Sequence, residues 1–247
     1  QANAMFIGSG TVINVIAVLL GATIGVFIAH RLNEKIRDVV TDGLGLVTGM
    51  IAVLTTASIT NPLLNESLGA GRPVLIVLAS VVLGGMLGTA LQIEERLERA
   101  GDRLKQRFSS SGSSRFTEGF VAASLLFCVG AMSVLGPITD GLGGGNEILV
   151  LKSTLDFFAA MAFATSLGWG VAVSALPVGI YQGVWTVIGL GLGEILDGYQ
   201  VDAMTIVGGI MLICISFRLL NIKQVAVGNL LPALAIAPVF ALLVHSF

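Results

Sequence analysis

Lys152 and Asp156 stand four residues apart inside Ile148–Leu167, a stretch of about twenty residues that is otherwise apolar. At about 1.5 Å of rise per helical residue, Lys152 lies roughly 6 Å inside such a helix and Asp156 roughly 12 Å, close to mid-bilayer. A lysine there can snorkel to the headgroups; an aspartate cannot. A carboxylate at that depth costs at least a few kcal/mol, so it is expected to face a bundle interior or a watery pathway. Asp156 is therefore the leading functional residue. The i,i+4 spacing puts it on one helix face with Lys152, and Ser153 joins the same candidate set. Two readings stay open. The pair is either a structural tie to neighbouring helices or a binding site whose carboxylate exchanges its cation for a proton or metal ion.

Further polar groups sit in apolar surroundings. The segment after Gly168-Trp169-Gly170 carries Ser174, Pro177, Gly179, Tyr181, Gln182 and Gly183. Proline and glycine at membrane depth free backbone groups that can coordinate an ion, so a broken helix is one expectation here. A kinked but continuous helix is the other. Asn14 and Asn229 are candidates to line a polar cavity or to make ordinary interhelical bonds. Gly141–Gly145 followed by Lys152-Ser153 fails the spacing of a phosphate loop, which needs glycine directly before lysine. His30 and His245 have no partner suited to catalysis. Cys128 and Cys214 lack metal or redox spacing and are expected to be small buried hydrophobes. No catalytic residue, metal site or cofactor is expected, and the chain is not expected to be an enzyme.

The elements that must position these groups are membrane helices. Hydrophobic residues make up 55% of the chain and charged residues 11%, with a mean hydropathy of +0.93; a soluble domain carries about 25% charged residues. The fold class expected is all-α, a polytopic integral membrane protein. Apolar windows predict helices near 6–29, 39–60, 73–91, 118–137, 148–167, 170–195, 203–220 and 229–246. The charge-free stretch 157–193, interrupted by Gly168, Gly170 and Pro177, leaves a seven-helix variant with a re-entrant piece open. Gln1–Ala4, ahead of Met5, reads as an expression scar, leaving 5–247 as a single transmembrane domain.

Orientation follows from the thirteen Lys and Arg residues. With the N-terminus outside, all but Arg72 and the intramembrane Lys152 fall inside, so both termini are predicted external. Asp140, Glu147, Glu194, Asp197 and Asp202 then make an acidic outer face. Between the spans, 92–115 carries Ile93, Leu97, Ala100, Leu104 and Phe108 at spacings of three and four among charges. That is an amphipathic cytoplasmic helix, followed by the flexible Ser109–Ser114 linker, and it lies on lipid or docks a partner. No basic soluble surface suits a nucleic acid.

Short motifs recur. Leu20-Gly21-Ala22-Thr23-Ile24-Gly25 returns as Leu83-Gly84-Gly85-Met86-Leu87-Gly88, and Met50-Ile51-Ala52-Val53-Leu54 as Met132-Ser133-Val134-Leu135. The segments 6–60 and 73–137 thus look like a tandem duplication, ahead of the C-terminal helices 148–246. A weaker echo at Gly189 and Gly193, then Gly208-Gly209-Ile210-Met211, would be inverted, a plan known in secondary transporters. The pairs Gly21/Gly25, Gly84/Gly88 and Gly189/Gly193 are expected to serve helix packing.

The order of segments and the run Thr139-Asp140-Gly141-Leu142-Gly143…Lys152-Ser153-Thr154-Leu155-Asp156, then Ser174-Ala175…Tyr181-Gln182-Gly183, resembles a bacterial inner-membrane family, domain of unknown function 554, the YqgA-like proteins. The resemblance spans essentially Met5–Phe247. It implies a multi-pass membrane fold and brings no catalytic or binding residues with it. The function expected is transport or channelling of a small solute or ion across the bacterial inner membrane, through a cavity between the 148–167 and 170–195 helices and the repeat helices. The rival is a scaffold or sensor acting through its cytoplasmic amphipathic helix. The partners expected are the lipid bilayer and a small solute or ion, with homo-oligomer formation left open and no nucleic acid.

Overall fold

A computed structural model describes residues 6–29, 31–69, 71–108, 115–129, 132–192 and 196–246. Among them are helices α1 (Ser9–Ala29), α2 (Glu34–Thr56), α3 (Pro62–Leu68), α4 (Arg72–Ala90), α5 (Ile93–Phe108), α6 (Phe116–Cys128), α7 (Met132–Gly141), α8 (Glu147–Leu167), α9 (Gly170–Val173), α10 (Ala175–Leu192), α11 (Gly198–Leu219) and α12 (Leu231–His245), with 3₁₀ turns at Ala57–Thr60 and Val227–Leu230 and no strand. Lipid offers the backbone no hydrogen-bond partner, so helices that close their own bonds are the natural product of this composition. Among the described residues, seven segments are long and apolar enough to cross a membrane: α1, α2, α4, α8, α9 with α10, α11, and the last 3₁₀ turn with α12. The protein is an all-α, multi-pass membrane protein.

The pair α6 and α7, which meet at 60°, is either one broken span or a re-entrant pair. The helix expected over 118–137 is therefore bent rather than straight. Pro137 lies inside α7 and cannot donate to the carbonyl one turn back. The Ser133 hydroxyl donates 2.9 Å to the Phe127 carbonyl across the break, which satisfies one of the freed acceptors. The segment after Gly168, by contrast, is nearly continuous. The Val178 amide still reaches the Ser174 carbonyl at 3.2 Å, and Pro177 falls in the first turn of α10, where a missing N–H costs nothing. Gly168, at φ 74, ends α8 in a conformation that favours glycine, so 147–167 and 170–191 are separate stretches, each long and apolar enough to cross a membrane.

The chain divides into two compact units, the first being Gln1–Leu44, Glu98–Cys128 and Met132–Ile195. Its centre is α1 laid along α8. Built Cβ atoms on Gly10, Gly21 and Gly25 would run into Leu149, the Phe157 carbonyl and the Met161 carbonyl in turn. Both numbers rise together, so the two helices are parallel and their backbones touch. Against the other side of α1 lies α10, where Thr11 faces Thr186 at 3.4 Å and Val15 faces Gly179; this pair is antiparallel. Asp140, at the end of α7, accepts from the Gly8 and Gly10 amides at 3.2 and 3.0 Å. It caps the positive end of α1. Asp140 is only 4% exposed, spent on this cap rather than open to solvent.

The second unit is Gly45–Leu97, Val129–Ala131 and Leu196–Phe247. Here α4 and α12 run antiparallel, with Gly84 against Ala233 and Gly88 against the Asn229 carbonyl. The Ser216 hydroxyl of α11 donates 2.6 Å to the Gly45 carbonyl, and Gln200 donates 3.1 Å to the carbonyl of Pro238. The division cuts across the 6–60 and 73–137 segments, since α2 and α5 each pass from one unit into the other. The expected amphipathic helix is α5, with Ile93, Leu97, Ala100 and Leu104 half-buried and Arg96, Arg99 and Arg103 exposed. The Ser-rich linker, Gln1–Ala4, His30, Gly193 and Glu194 lie outside the described residues.

Candidate functional site

Helix α8 presents a buried stripe that includes Leu149, Lys152, Ser153, Asp156, Ala160 and Phe163. Asp156 is the tenth residue of this 21-residue helix, roughly 14 Å from its start at helical rise. Lys152 does not snorkel. Its ammonium pairs with Asp156 Oδ2, and the two side chains are 7% and 11% exposed. From α1, Asn14 Nδ2 donates to the same Oδ2 at 3.0 Å. The close approach that the α1 glycines permit is what brings this amide within reach of a carboxylate on the neighbouring helix.

The other predicted residues fall into two groups. Ser153 and Ser174 turn their hydroxyls onto their own helices, donating 2.6 Å to the Leu149 and Val171 carbonyls, so neither offers a hydrogen atom to a ligand in this arrangement. Gln182 behaves differently. It is completely buried, yet neither its amide nitrogen nor its carbonyl oxygen has a hydrogen-bond partner within the protein, and Asn14 Oδ1 is equally unpartnered. Thr186, one turn along α10, donates 3.0 Å to the Gln182 backbone carbonyl.

Helical register relates the two carboxamides. Thr11 and Thr186 face each other across antiparallel helices; Asn14 follows Thr11 by three residues and Gln182 precedes Thr186 by four. Both amides therefore lie one turn deeper, at the same level. Cys128, the last residue of α6, lies within electrostatic reach of both Lys152 and Asp156. Gly189 packs against the Ile138 carbonyl of α7, 2.5 Å from a built Cβ. Among the described residues, no group of three or more His, Cys, Asp or Glu could hold a metal ion.

One constellation escaped the sequence reading. In the second unit, Glu94 is 6% exposed; its carboxylate pairs with Arg218 and accepts from the Gly228 amide at 2.6 Å. The Glu94 amide in turn donates 2.9 Å to Asn229 Oδ1. Asn229 therefore caps the start of α5 rather than lining a cavity. The signal was Arg218, the one charge in the last four turns of an apolar helix, which needed an acid from elsewhere.

The same sequence features connect the chain to known proteins. It is 31% identical over 232 residues to "Uncharacterized protein YqgA" of Escherichia coli (strain K12), covering 92% of this chain and 94% of that protein. It is 28% identical over 238 residues to "Uncharacterized membrane protein YdfK" of Bacillus subtilis (strain 168), covering 96% and 97%. No solved structure matches it. A family model described as "Protein of unknown function (DUF554)" matches residues 9–242, nearly the whole of the helical region just described, and the chain belongs to that family.

Proposed function

We propose that this protein moves a small solute or ion across the bacterial cytoplasmic membrane, and that Asp156, with Lys152 beside it, is the group the cargo or its coupling ion engages. The observation that carries this reading is a paired carboxylate at the middle of a membrane-spanning helix, shared with an amide from α1. Intramembrane carboxylates are costly to keep and recur where protons, ions or substrates pass. Transport without covalent chemistry is the activity proposed.

Both termini are proposed to face the exterior. The distribution of basic residues supports the exterior side, and the parallel packing of α1 and α8 supports placing both termini on one side. With α2 and α4 each crossing once, α8 runs parallel to α1 only if α6 and α7 together carry the chain across once more, which makes eight crossings. Flux measured in proteoliposomes for the wild type, Asp156→Asn, and Asp156→Asn combined with Lys152→Met tests the assignment. The double variant keeps the region uncharged and is expected to be inactive. A stable double variant with wild-type flux would remove the pair from function.

A further inference from the structure

We propose that the ion engaged at Asp156 is the proton, delivered through water held by the side-chain amides of Asn14 and Gln182. This inference rests on the transport reading above and names its ion. Three buried polar atoms, Asn14 Oδ1, Gln182 Oε1 and Gln182 Nε2, have no partner within the protein, and both residues are 0% exposed. A buried donor or acceptor left unmade costs about 1–3 kcal/mol, so three at one level call for a common guest.

The chemistry of the three selects the guest. A metal cation would satisfy the two carbonyl oxygens but leave the Gln182 amide hydrogens unpaired, and it would sit close to the Lys152 ammonium. An anion would satisfy Nε2 alone and meet the Asp156 carboxylate. Water both donates and accepts, so it serves all three atoms, and buried waters normally make about three such bonds. The Asn14 amide bonds Asp156 Oδ2 at 3.0 Å, so water on its oxygen is one side chain from the carboxylate. Toward the start of α1, the Thr11 and Thr186 hydroxyls, 3.4 Å apart, extend the polar file by one turn.

The transfer balances simply. A hydronium gives one proton to a carboxylate oxygen of Asp156, leaving water and a neutral carboxylic acid, and Lys152 loses its counter-charge; release of the proton restores the pair. Few other titratable groups border the carboxylate. On α8 itself are Lys152 and, nine residues before Asp156, Glu147, and α1 and α9 carry none. From α6 come the Cys128 thiol and, ten residues earlier, Glu118. From α7 comes Asp140, occupied by two amides of α1, and α10 contributes Tyr181.

The test uses the full chain in proteoliposomes that enclose a pH-sensitive dye, with an inside-negative potassium diffusion potential. Wild type should acidify the lumen, Asp156→Asn should not, and Gln182→Leu should slow acidification at least tenfold while melting no lower than wild type. Acidification at the wild-type rate by a folded Gln182→Leu overturns the water relay. Asp156-dependent uptake of labelled sodium or rubidium without acidification overturns the proton assignment and leaves transport standing; movement of neither protons nor cations overturns the assignment and removes support for transport. Should Gln182→Leu fold poorly, Gln182→Met, which keeps the side chain's length without its amide, takes its place with the same two outcomes. Infrared difference spectra on acidification should show a carboxylic acid band that Asp156→Asn removes, and a spectrum without that band overturns the proposal.

Discussion

Asn14 donates to the very oxygen of Asp156 that Lys152 holds, so two helices far apart in sequence converge on one carboxylate atom. The Lys152 contact is local, one helical turn along α8. The Asn14 contact is tertiary, and it exists only because α1 and α8 lie backbone to backbone.

Neutralising the carboxylate alone should destabilise the protein. Asp156→Asn leaves the Lys152 ammonium buried without a counter-charge, and breaking one side of a buried pair typically costs about 3–5 kcal/mol. Adding Lys152→Met should recover most of that loss. Denaturation midpoints in detergent for the three proteins check it; an Asp156→Asn variant as stable as wild type would mean that Lys152 reaches water after all.

The glycine face of α1 yields a signed prediction. Gly21→Ala places a methyl against the Phe157 backbone carbonyl, which cannot turn aside, whereas a Cβ on Gly183 of α10 meets nothing within 4 Å. Overpacking of the first kind costs about 1–3 kcal/mol; the second should gain up to about 1 kcal/mol from helix propensity. Thermal melts of both variants should therefore shift in opposite directions.

Topology is tested most sharply in the turn between α7 and α8. A reporter inserted at Gly143, whose Cβ position is open, should report the exterior, as should one fused after Phe247, while one placed at 109–114 should report the cytoplasm. A cytoplasmic signal at Gly143 would make α6 and α7 a re-entrant pair and end the eight-span description.

Glu94→Gln should loosen the start of α5 without touching the α8 site. Arg218 loses its charge partner, and a cost of about 3–5 kcal/mol is expected for a broken buried pair. Hydrogen exchange should quicken at residues 93–97 and 227–230 and stay unchanged around Asp156, since sites without shared partners behave independently.

What could be read from the sequence was what is local or periodic. Apolar runs fixed the helices because lipid leaves the backbone no alternative, and the i,i+4 spacing of Lys152 and Asp156 announced their pairing. Ser153 and Ser174 misled because a hydroxyl in a helix finds its own carbonyl one turn back before it finds a ligand. Pro177 suggested a break that its place in the first turn of α10 makes harmless, while Pro137, deeper in α7, accompanies the real one. Glu94 was hidden among the charges of α5, where one buried carboxylate looks like any solvated neighbour until Arg218 arrives from 124 residues away.

The distance in sequence between Asn14 and Asp156, 142 residues, also sets an order of events during synthesis. At about 5–20 residues per second, α1 waits roughly 7–30 s after its own emergence before α8 exists to receive it. Through that interval its asparagine and its glycine face meet lipid or the insertion machinery instead of a partner. Helix α1 is thus made long before it can be completed, and a chain stopped short of α8 would leave it an orphaned, sticky segment, a ready mark for membrane quality control.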